Sequence, residues 1–256
     1  MERRSLLFQL VRRDFEQRYV GSAVGWIWGL IQPLVLLLSW TLVFQVFLKQ
    51  KAPPGVRNYS LFLFAGMLPW MLFSETLQRS ASSLVEQANL ITKTVFPAEI
   101  VPVSIFCSAL VGHALALLLL IVVAGVWQNQ INGFLLLLPV YVFAIGLMAV
   151  GFGWIVASLH VFLRDTAQVL SVVLTFWFWI TPIFLTENYY LARAWTRYLL
   201  AANPMAYVVR GYRAMLITSA APSPVDLGVA LAFGAVVFVA GGLFFRHMKR
   251  GFADVL

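Results

Sequence analysis

The sequence predicts an all-α integral membrane protein with six transmembrane helices. Hydrophobic residues make up 61% of the 256 residues and charged residues only 11%, whereas a soluble domain carries about a quarter charged residues. Six stretches without Asp, Glu, Lys or Arg are long enough, or nearly so, to cross a bilayer as a helix, which takes about 20 residues. Lipid offers backbone groups no hydrogen-bond partner, so these stretches should be helices. The sequence lacks the ten-residue alternation of outer-membrane β-barrels.

Polar or charged segments separate most of the six predicted spans. The second apolar stretch is short, and we expect it to continue to residue 77, with Glu75 near the head groups and Arg79 one turn further on. The predicted spans are residues 26–48, 59–77, 100–127, 133–159, 166–186 and 227–245.

The distribution of positive charge predicts the orientation of the chain. An even number of spans places both termini on one side, and with the termini inside, the inner segments hold 11 of the 18 Lys and Arg residues. The positive-inside rule therefore puts both termini in the cytoplasm. The basic residues flank apolar stretches and form no nucleic-acid-binding motif, so the net charge of +8 indicates contact with membrane lipid and no nucleic-acid partner.

Residues 3–20 are predicted to form an amphipathic helix. Apolar side chains such as Leu7 and Val11 recur at near-helical spacing, and charged side chains such as Arg12 and Glu16 fall largely on the other side. This pattern is typical of a helix along the cytoplasmic surface of the membrane. A solvated helix of a partner-binding domain is the alternative.

Two further segments are not simple spans. Residues 78–99 should contain a short helix ending near Thr94, because the proline in Phe96-Pro97 disfavours helix at the residue before it; this segment is either a connector or a docking surface. Residues 187–224 lie outside and hold two amphipathic stretches, broken at Asn203-Pro204, that are too short to cross. They either lie on the outer surface or form a re-entrant hairpin.

The sequence lacks the groupings of side chains that common active sites need. It has no Gly-rich phosphate loop ending in Gly-Lys-Ser/Thr, its three histidines and one cysteine are too scattered for a metal site, and no nucleophile–base pair stands out. Asp165 beside Arg164 is expected to form a loop ion pair. His113, the one ionisable residue at mid-membrane, is expected to be a hydrogen-bonded core residue and not a proton relay. We therefore predict no catalytic residues and no metal.

Small and aromatic residues mark two membrane segments. Gly21, Gly25, Gly29 and Pro33 recur every fourth residue, which favours close helix packing within the chain or a face toward a channel or a second copy. The run Phe176-Trp177-Phe178-Trp179 lies mid-span, where an interfacial aromatic belt does not explain it. Aromatic faces can stack on sugar rings, and packing or lipid contact is the alternative.

Several short motifs occur in a fixed order along nearly the whole chain. They are Arg18-Tyr19-Val20-Gly21-Ser22, Gln32-Pro33-Leu34, Asn89-Leu90-Ile91, Phe96-Pro97-Ala98-Glu99, Phe162-Leu163-Arg164-Asp165, Thr181-Pro182-Ile183, Asn203-Pro204 and Phe252-Ala253-Asp254. Together they resemble the permeases of type-2 ABC exporters of polysaccharides and polyol phosphates. One departure is Leu163, which stands where that family commonly has phenylalanine.

The resemblance implies one ABC-2 type transmembrane domain over residues 1–256, located in the bacterial inner membrane. Two copies would form the pathway, and two separate ABC ATPase subunits would bind ATP and Mg²⁺, so this chain would hold no cofactor. Residues 3–20 would be the interface helix, residues 82–95 the coupling helix, and residues 187–218 a periplasmic gate hairpin that re-enters the membrane. The substrate would be a lipid-linked glycan such as O antigen.

Other cargoes and one other class of protein stay open. Related permeases export teichoic acid or capsular polysaccharide, and the same architecture can export a small lipid or drug. A membrane-embedded transferase is the alternative from a different class.

By the same resemblance, two groups of residues are assigned to sites. The substrate channel would be lined by Trp26, Trp40, Phe44, Phe176, Trp177, Trp179, Tyr189 and Tyr190. Coupling to the ATPase would involve Glu86, Asn89, Lys93, Phe96, Pro97, Arg164 and Asp165.

Overall fold

A computed structural model describes residues 3–19, 27–50, 53, 56, 58–93, 96–128, 132–184, 187 and 191–255. These residues form helices and connecting turns, with no strand among them, so the prediction of an all-α chain is confirmed. The helices are α1 (Arg3–Tyr19), α2 (Trp28–Trp40) with a π-helical continuation (Thr41–Phe47), α3 (Tyr59–Glu86), α4 (Ala88–Lys93), α5 (Ile100–Gln128), a 3₁₀ turn (Gly133–Leu137) leading into α6 (Leu138–Phe162), α7 (Thr166–Ile180), α8 (Ala194–Ala202), α9 (Pro204–Leu216), α10 (Pro224–Met248), a 3₁₀ turn (Lys249–Gly251) and α11 (Phe252–Val255).

Among the described residues, four helical segments are long and apolar enough to cross a membrane: Tyr59–Glu86, Ile100–Val126, Gly133–Phe162 and Pro224–Gly251. They correspond to the second, third, fourth and sixth predicted spans. The other two predicted spans contain shorter apolar helices, Pro33–Phe47 and Thr166–Ile180.

Two predicted boundaries differ from the structure. Helix α7 ends at Ile180 and not at residue 186, because Thr181 has an extended backbone and Pro182 disfavours helix at the residue before it. Helix α3 runs nine residues past the predicted end at residue 77. Its last turn therefore includes residues 82–86 of the predicted coupling helix, and only α4 is a separate short helix there.

Helix α3 occupies the centre of the bundle. It packs against α5, α6, α7 and α9, and 78% of its most apolar stretch is buried. The helix begins at Tyr59 because the side chain of Asn58 accepts hydrogen bonds from the N–H groups of Ser60 and Leu61, which satisfies two donors that have no partner inside the helix.

The connection between α3 and α5, residues 87–99, is called the elbow here. The indole N–H of Trp154 on α6 donates to the carbonyl of Glu99 at 2.9 Å, and Lys249 donates to the Glu99 carboxylate at 2.7 Å. Phe252 is buried against the rings of Phe162 and Phe245. The C-terminal segment therefore closes the same end of the bundle as the elbow, which we call the elbow end.

Helix α1 lies against α5. The Asp14 carboxylate accepts hydrogen bonds from Arg79 on α3 and Ser108 on α5, and Leu10 is buried. Arg12 pairs with Glu16 at 2.8 Å on the exposed side of the helix. One polar anchor thus fixes α1 to two central helices.

Helices α6 and α10 pack in close backbone contact, which is built on glycine. A Cβ added to Gly241 would overlap the backbone of Gly151, and one added to Gly151 would overlap the backbone at Val237. Small residues let helix backbones approach closely where apolar surface gives no driving force against lipid.

We expect Gly241→Val to push α6 and α10 apart. The added side chain cannot fit without a backbone shift, and overpacking of this kind costs about 2 kcal/mol, which corresponds to roughly 5 °C in the thermal unfolding midpoint of a chain of this size. The matched control is Gly228→Val on the same helix, where an added Cβ meets open space. Thermal unfolding of the purified chain in detergent measures both; equal midpoints for the two variants would contradict this account of the contact.

Candidate functional site

A continuous aromatic cluster joins α2, α3, α6 and α7. Neighbouring rings in it have centroids 5.2 to 6.2 Å apart, a separation typical of favourable aromatic pairs. Its members are Trp40, Phe44, Tyr59, Phe62, Trp70, Phe73, Phe152, Trp177, Phe178, Trp179 and Phe184.

Phe184 is the hub of the aromatic cluster, and the sequence analysis missed it. Its ring centroid lies 5.5 Å from that of Trp40 and 5.4 Å from those of Phe44 and Trp179. The hydroxyl of Tyr59 donates to the Phe184 carbonyl at 2.7 Å. Three predicted channel residues are therefore brought together by a residue in the turn after α7. Its position directly after Thr181-Pro182-Ile183 is the sequence signal that could have found it.

The aromatic run on α7 divides into exposed and packed side chains. Phe176 and Trp179 are 68% and 62% exposed. Trp177 is half-buried against Trp70, Phe73 and Phe152, and its indole N–H donates to the side-chain oxygen of Asn203 at 2.9 Å. Trp177 and Phe178 thus pack within the chain, while Phe176 and Trp179 are largely exposed.

The remaining predicted channel residues are less fully described. Trp40 and Phe44 are partly buried on the aromatic cluster. Trp26, Tyr189 and Tyr190 lie outside the described residues.

The hairpin, defined as α8 and α9 with Asn203 between them, grips the end of α7. The Asn203 amide donates to the Thr181 hydroxyl at 3.0 Å, while its oxygen accepts from Trp177 and from the first turn of α9. The predicted break at Asn203-Pro204 is confirmed: α8 ends at Ala202 and α9 begins at Pro204. Asn203 therefore caps one helix and fastens it to another at the same time.

Arg213 on α9 holds the turn after α7 from the other side. Its buried guanidinium donates to the carbonyls of Pro182 and Ile183, both at 2.6 Å, and to that of Phe62 at 3.2 Å. It also lies 3.5 Å from the centre of the Phe62 ring, an arrangement that stabilises a desolvated cation. Gly66 leaves room for it, since a Cβ there would come within 2.7 Å of the guanidinium.

A second arginine of α9 fixes the hairpin to the start of α10. Arg210 pairs with Asp226 through two hydrogen bonds of 2.8 and 2.9 Å and with Glu187 at 3.2 Å. Burial acts against the charge on Arg210, but the hydrogen bond with Asp226 and the negative field of Glu187 raise the pKa of the guanidinium above its usual value. Arg210 therefore keeps its positive charge at all physiological pH values.

His113 is a core residue. It is buried on α5, and its Nε2 lies 3.0 Å from the hydroxyl of Tyr212 on α9, which is fully buried. The expectation of a hydrogen-bonded core histidine is confirmed. The same contact shows that α9 enters the bundle as far as the middle of α5.

Part of the small-residue stripe packs within the chain. Gly29 and Pro33 line a small cavity of about 70 Å³ together with His113 and other residues of α3 and α5. For these two residues the structure supports packing inside the chain. Gly21 and Gly25 lie outside the described residues.

The predicted coupling residues lie at the elbow end. Glu86, at the end of α3, and Asn89, on α4, are exposed, and the Glu86 carboxylate accepts from Ser82 at 2.6 Å. Phe96 packs against a buried cluster that contains Leu84 and Val161. The carbonyl of Pro97 accepts from the N–H of Ile100 at 3.0 Å. The side chain of Lys93 lies outside the described residues.

Arg164 and Asp165 form the turn between α6 and α7 at this same end. Both side chains are exposed. The expected ion pair between them is wrong: within the described part of the chain, the salt bridges do not include this one. An ion pair between exposed side chains gains too little energy in water to hold two flexible groups together.

No metal site is visible in the parts of the chain that the structure describes. Among those residues, no group of three His, Cys, Asp or Glu side chains could hold a metal ion.

Comparison with known proteins gives a consistent result along the chain. Residues 5–217 match the profile of the family described as ABC-2 type transporter. A protein of Myxococcus xanthus named O-antigen export system permease protein RfbA is 30% identical over 251 residues, which cover 98% of this chain and 95% of the relative.

Two further proteins from other bacteria are similar to this chain over most of their length. A protein of the same name from Klebsiella pneumoniae is 26% identical over 255 residues, or 98% of this chain and 95% of the relative. A protein of Escherichia coli named polysialic acid transport protein KpsM is 23% identical over 244 residues, or 94% and 92% of the two chains.

Proposed function

The chain belongs to the ABC-2 type transporter family, and we propose that it is the permease of an ATP-driven exporter that moves a lipid-linked polysaccharide, such as O antigen, across the bacterial inner membrane. The observation that carries the proposal is the similarity over 98% of the chain to proteins named O-antigen export permeases. ATP hydrolysis belongs to a separate ABC ATPase subunit, so the chain is a transporter subunit and not an enzyme. The similarity to polysialic acid transport proteins favours capsular polysaccharide as the second candidate cargo.

In the proposed arrangement the chain crosses the membrane six times, with both termini in the cytoplasm. Helix α2 with its π-helical continuation makes the first crossing and α7 the fifth. The 15 residues of α7 span only about 22 Å, less than the roughly 30 Å of a bilayer core. The turn after α7 and the hairpin fill the remaining depth. Irregular backbone survives there only when protein covers it, and the hydrogen bonds from Arg213 supply that cover.

The pathway runs between two copies of the chain, along the exposed face of α7. This face carries Val169, Val172, Phe176 and Trp179, all at least half exposed. Polysaccharide rings stack on Phe176 and Trp179 and then on Trp40 and Phe44 of the aromatic cluster, while Trp177 holds the hairpin in place. Stacking offers many weak, similar sites along the path, which suits stepwise movement of a long chain.

Trp26, Tyr189 and Tyr190 complete the proposed channel, and the hairpin serves as its periplasmic gate. A gate needs to respond to movement of the channel wall. The hydrogen bonds that Asn203 and Arg213 make with the end of α7 support this role, because they oblige α7 and the hairpin to move together.

The ATPase docks at the elbow end. Glu86, Asn89 and Lys93 form the contact surface with the turn at Arg164 and Asp165, and Phe96 with Pro97 anchors that surface to the buried core. The exposure of Glu86 at the end of the long helix α3 and of Asn89 on α4 supports this assignment. Helix α1 lies along the cytoplasmic membrane surface beside it.

Loss of the protein should leave its cargo on the wrong side of the membrane. In a strain that lacks the gene, we expect lipid-linked polysaccharide to accumulate at the cytoplasmic face and surface polysaccharide to disappear, with both restored by the wild-type gene. Labelled glycolipid extracted from inside-out and right-side-out membrane vesicles measures the distribution. Normal surface polysaccharide together with retention of a small lipid or drug would contradict the proposed cargo, and glycosyl transfer by the purified chain without an ATPase would indicate a transferase.

The two tryptophans of α7 should behave differently when replaced. Trp179→Ala removes an exposed stacking face worth about 1 kcal/mol, so export should slow by roughly fivefold, while the loss of its ring contacts with Phe178 and Phe184 should lower the thermal unfolding midpoint only slightly. Trp177→Ala breaks the hydrogen bond to Asn203 and opens a cavity, so its midpoint should fall further. Export in cells and thermal unfolding of purified protein distinguish the two; full export by Trp179→Ala would remove this residue from the pathway.

Reversal of a charge at the elbow end should weaken docking. We expect Glu86→Lys to lower the amount of ATPase subunit that co-purifies with the chain several-fold, because an attraction across the contact becomes a repulsion. Arg197→Glu reverses a charge on the exposed surface of α8, at the opposite end of the bundle, and serves as the matched control. Full co-purification with Glu86→Lys would exclude this docking surface.

A further inference from the structure

The C-terminal segment, Lys249–Val255, contacts both of the connections that lie at the elbow end. It consists of the 3₁₀ turn after α10 and the short helix α11. One connection is the elbow, between α3 and α5, and the other is the turn between α6 and α7. The two connections join different pairs of helices, and both carry residues that the proposed function assigns to the ATPase contact.

The contact of this segment with the elbow is polar. Lys249 Nζ lies 2.7 Å from the Glu99 carboxylate, and the two side chains are 37% and 45% exposed. The indole N–H of Trp154 on α6 donates to the backbone carbonyl of the same glutamate at 2.9 Å. An ion pair as exposed as this one adds little to the stability of the chain, so we attribute to it the placement of Glu99 at the end of the elbow.

The contact of this segment with the α6–α7 turn is apolar. Phe252 is 1% exposed, and its ring centroid lies 6.0 Å from that of Phe162, the last residue of α6. A Cβ added to Gly251 would lie 3.3 Å from the Phe162 ring, so the backbone of the segment also approaches this ring closely. Arg164 and Asp165 follow directly in the turn, and Phe252 therefore supports the base of the turn that carries them.

A single buried cluster connects the two contacts. Its members include Leu84 near the end of α3, Ala98 in the elbow and Val161 near the end of α6. Phe252 is a further member, and Phe96 of the elbow packs against it. Because close-packed interiors have low compressibility and transmit strain, a movement of the elbow reaches the α6–α7 turn through this cluster.

We propose that Lys249, Glu99 and Phe252 are positioning residues that hold the elbow and the α6–α7 turn at a fixed separation, so that the two connections meet the ATPase as one surface and move together during ATP hydrolysis. This inference rests on the proposed function, since it takes both connections to contact the ATPase. The three residues act through the connections and not on the cargo. Without their contacts one connection moves without the other, and ATP is hydrolysed with less export.

Hydrogen exchange of the purified full-length chain in detergent tests these contacts without the ATPase. Lys249→Glu brings two carboxylates together, and we expect the amides of residues 98–101 to exchange roughly fivefold faster, the upper end of what an exposed ion pair contributes. Arg250→Glu is the matched control, because it makes the same change of charge at the next residue, which is exposed. Lys249→Arg keeps the positive charge and should exchange as slowly as the wild type.

Phe252→Ala tests the apolar contact. It opens a cavity against Phe162, so exchange should accelerate in the last turn of α6, residues 159–163, and stay unchanged in the hairpin. If this variant does not yield folded protein by size-exclusion chromatography, Lys249→Glu and Arg250→Glu decide the question. Unchanged exchange in Lys249→Glu, equal acceleration in Arg250→Glu, or acceleration that extends to the hairpin would each overturn the proposal.

The reconstituted complex of permease and ATPase measures the effect on coupling. We expect Lys249→Glu to keep the wild-type amount of bound ATPase and the wild-type rate of ATP hydrolysis, but to export roughly threefold less polysaccharide per ATP, while Arg250→Glu and Lys249→Arg match the wild type. A parallel fall in binding, hydrolysis and export would indicate a purely structural role and overturn the proposal. A wild-type complex that moves no polysaccharide would overturn the proposed function, whereas the exchange experiment tests the contacts separately.

Discussion

The hydrogen bonds of Arg213 are the interaction on which the hairpin end depends. Helix α7 stops short at Ile180, and the turn that follows leaves carbonyl groups without helical partners. Arg213 supplies donors to Pro182 and Ile183, and Asn203 adds a hydrogen bond to Thr181. A guanidinium buried among apolar side chains would be costly alone, and the irregular turn would be equally costly without it. The carbonyl groups of the turn stabilise the buried guanidinium of Arg213, and the guanidinium stabilises the turn. The aromatic cluster packs around this turn.

Much of the architecture could be predicted because apolar length is a strong signal. The four long spans, the break at Asn203-Pro204 and the core position of His113 follow from composition, from proline geometry and from the cost of a bare charge in lipid. The predicted end of the fifth span lies six residues beyond the end of α7, since residues 181–186 contain no Lys, Arg or Asp and resemble membrane sequence. Only the tertiary contact with Arg213 explains why the backbone turns there.

The candidate site was less predictable, for a physical reason. In a segment that is apolar on every side, helical periodicity cannot distinguish a face toward protein from a face toward lipid. Trp177 and Trp179 are therefore equivalent in the sequence, although one packs in the core and the other is open. The position of Phe184 in the aromatic cluster depends on contacts with Trp40 and Phe44, which are far away in the chain, and no local pattern encodes such contacts.

The continuity of α3 has a mechanical consequence. At a rise of 1.5 Å per residue, its 28 residues make a helix about 42 Å long. This length exceeds the roughly 30 Å thickness of the hydrocarbon layer. One end carries Phe62, whose carbonyl is tied to Arg213, and the other carries Glu86. Because packed helices resist compression, a displacement of one end of α3 would be transmitted to its other end with little loss. A single helix thus joins the end at which we propose that the ATPase binds to the end at which we propose a gate.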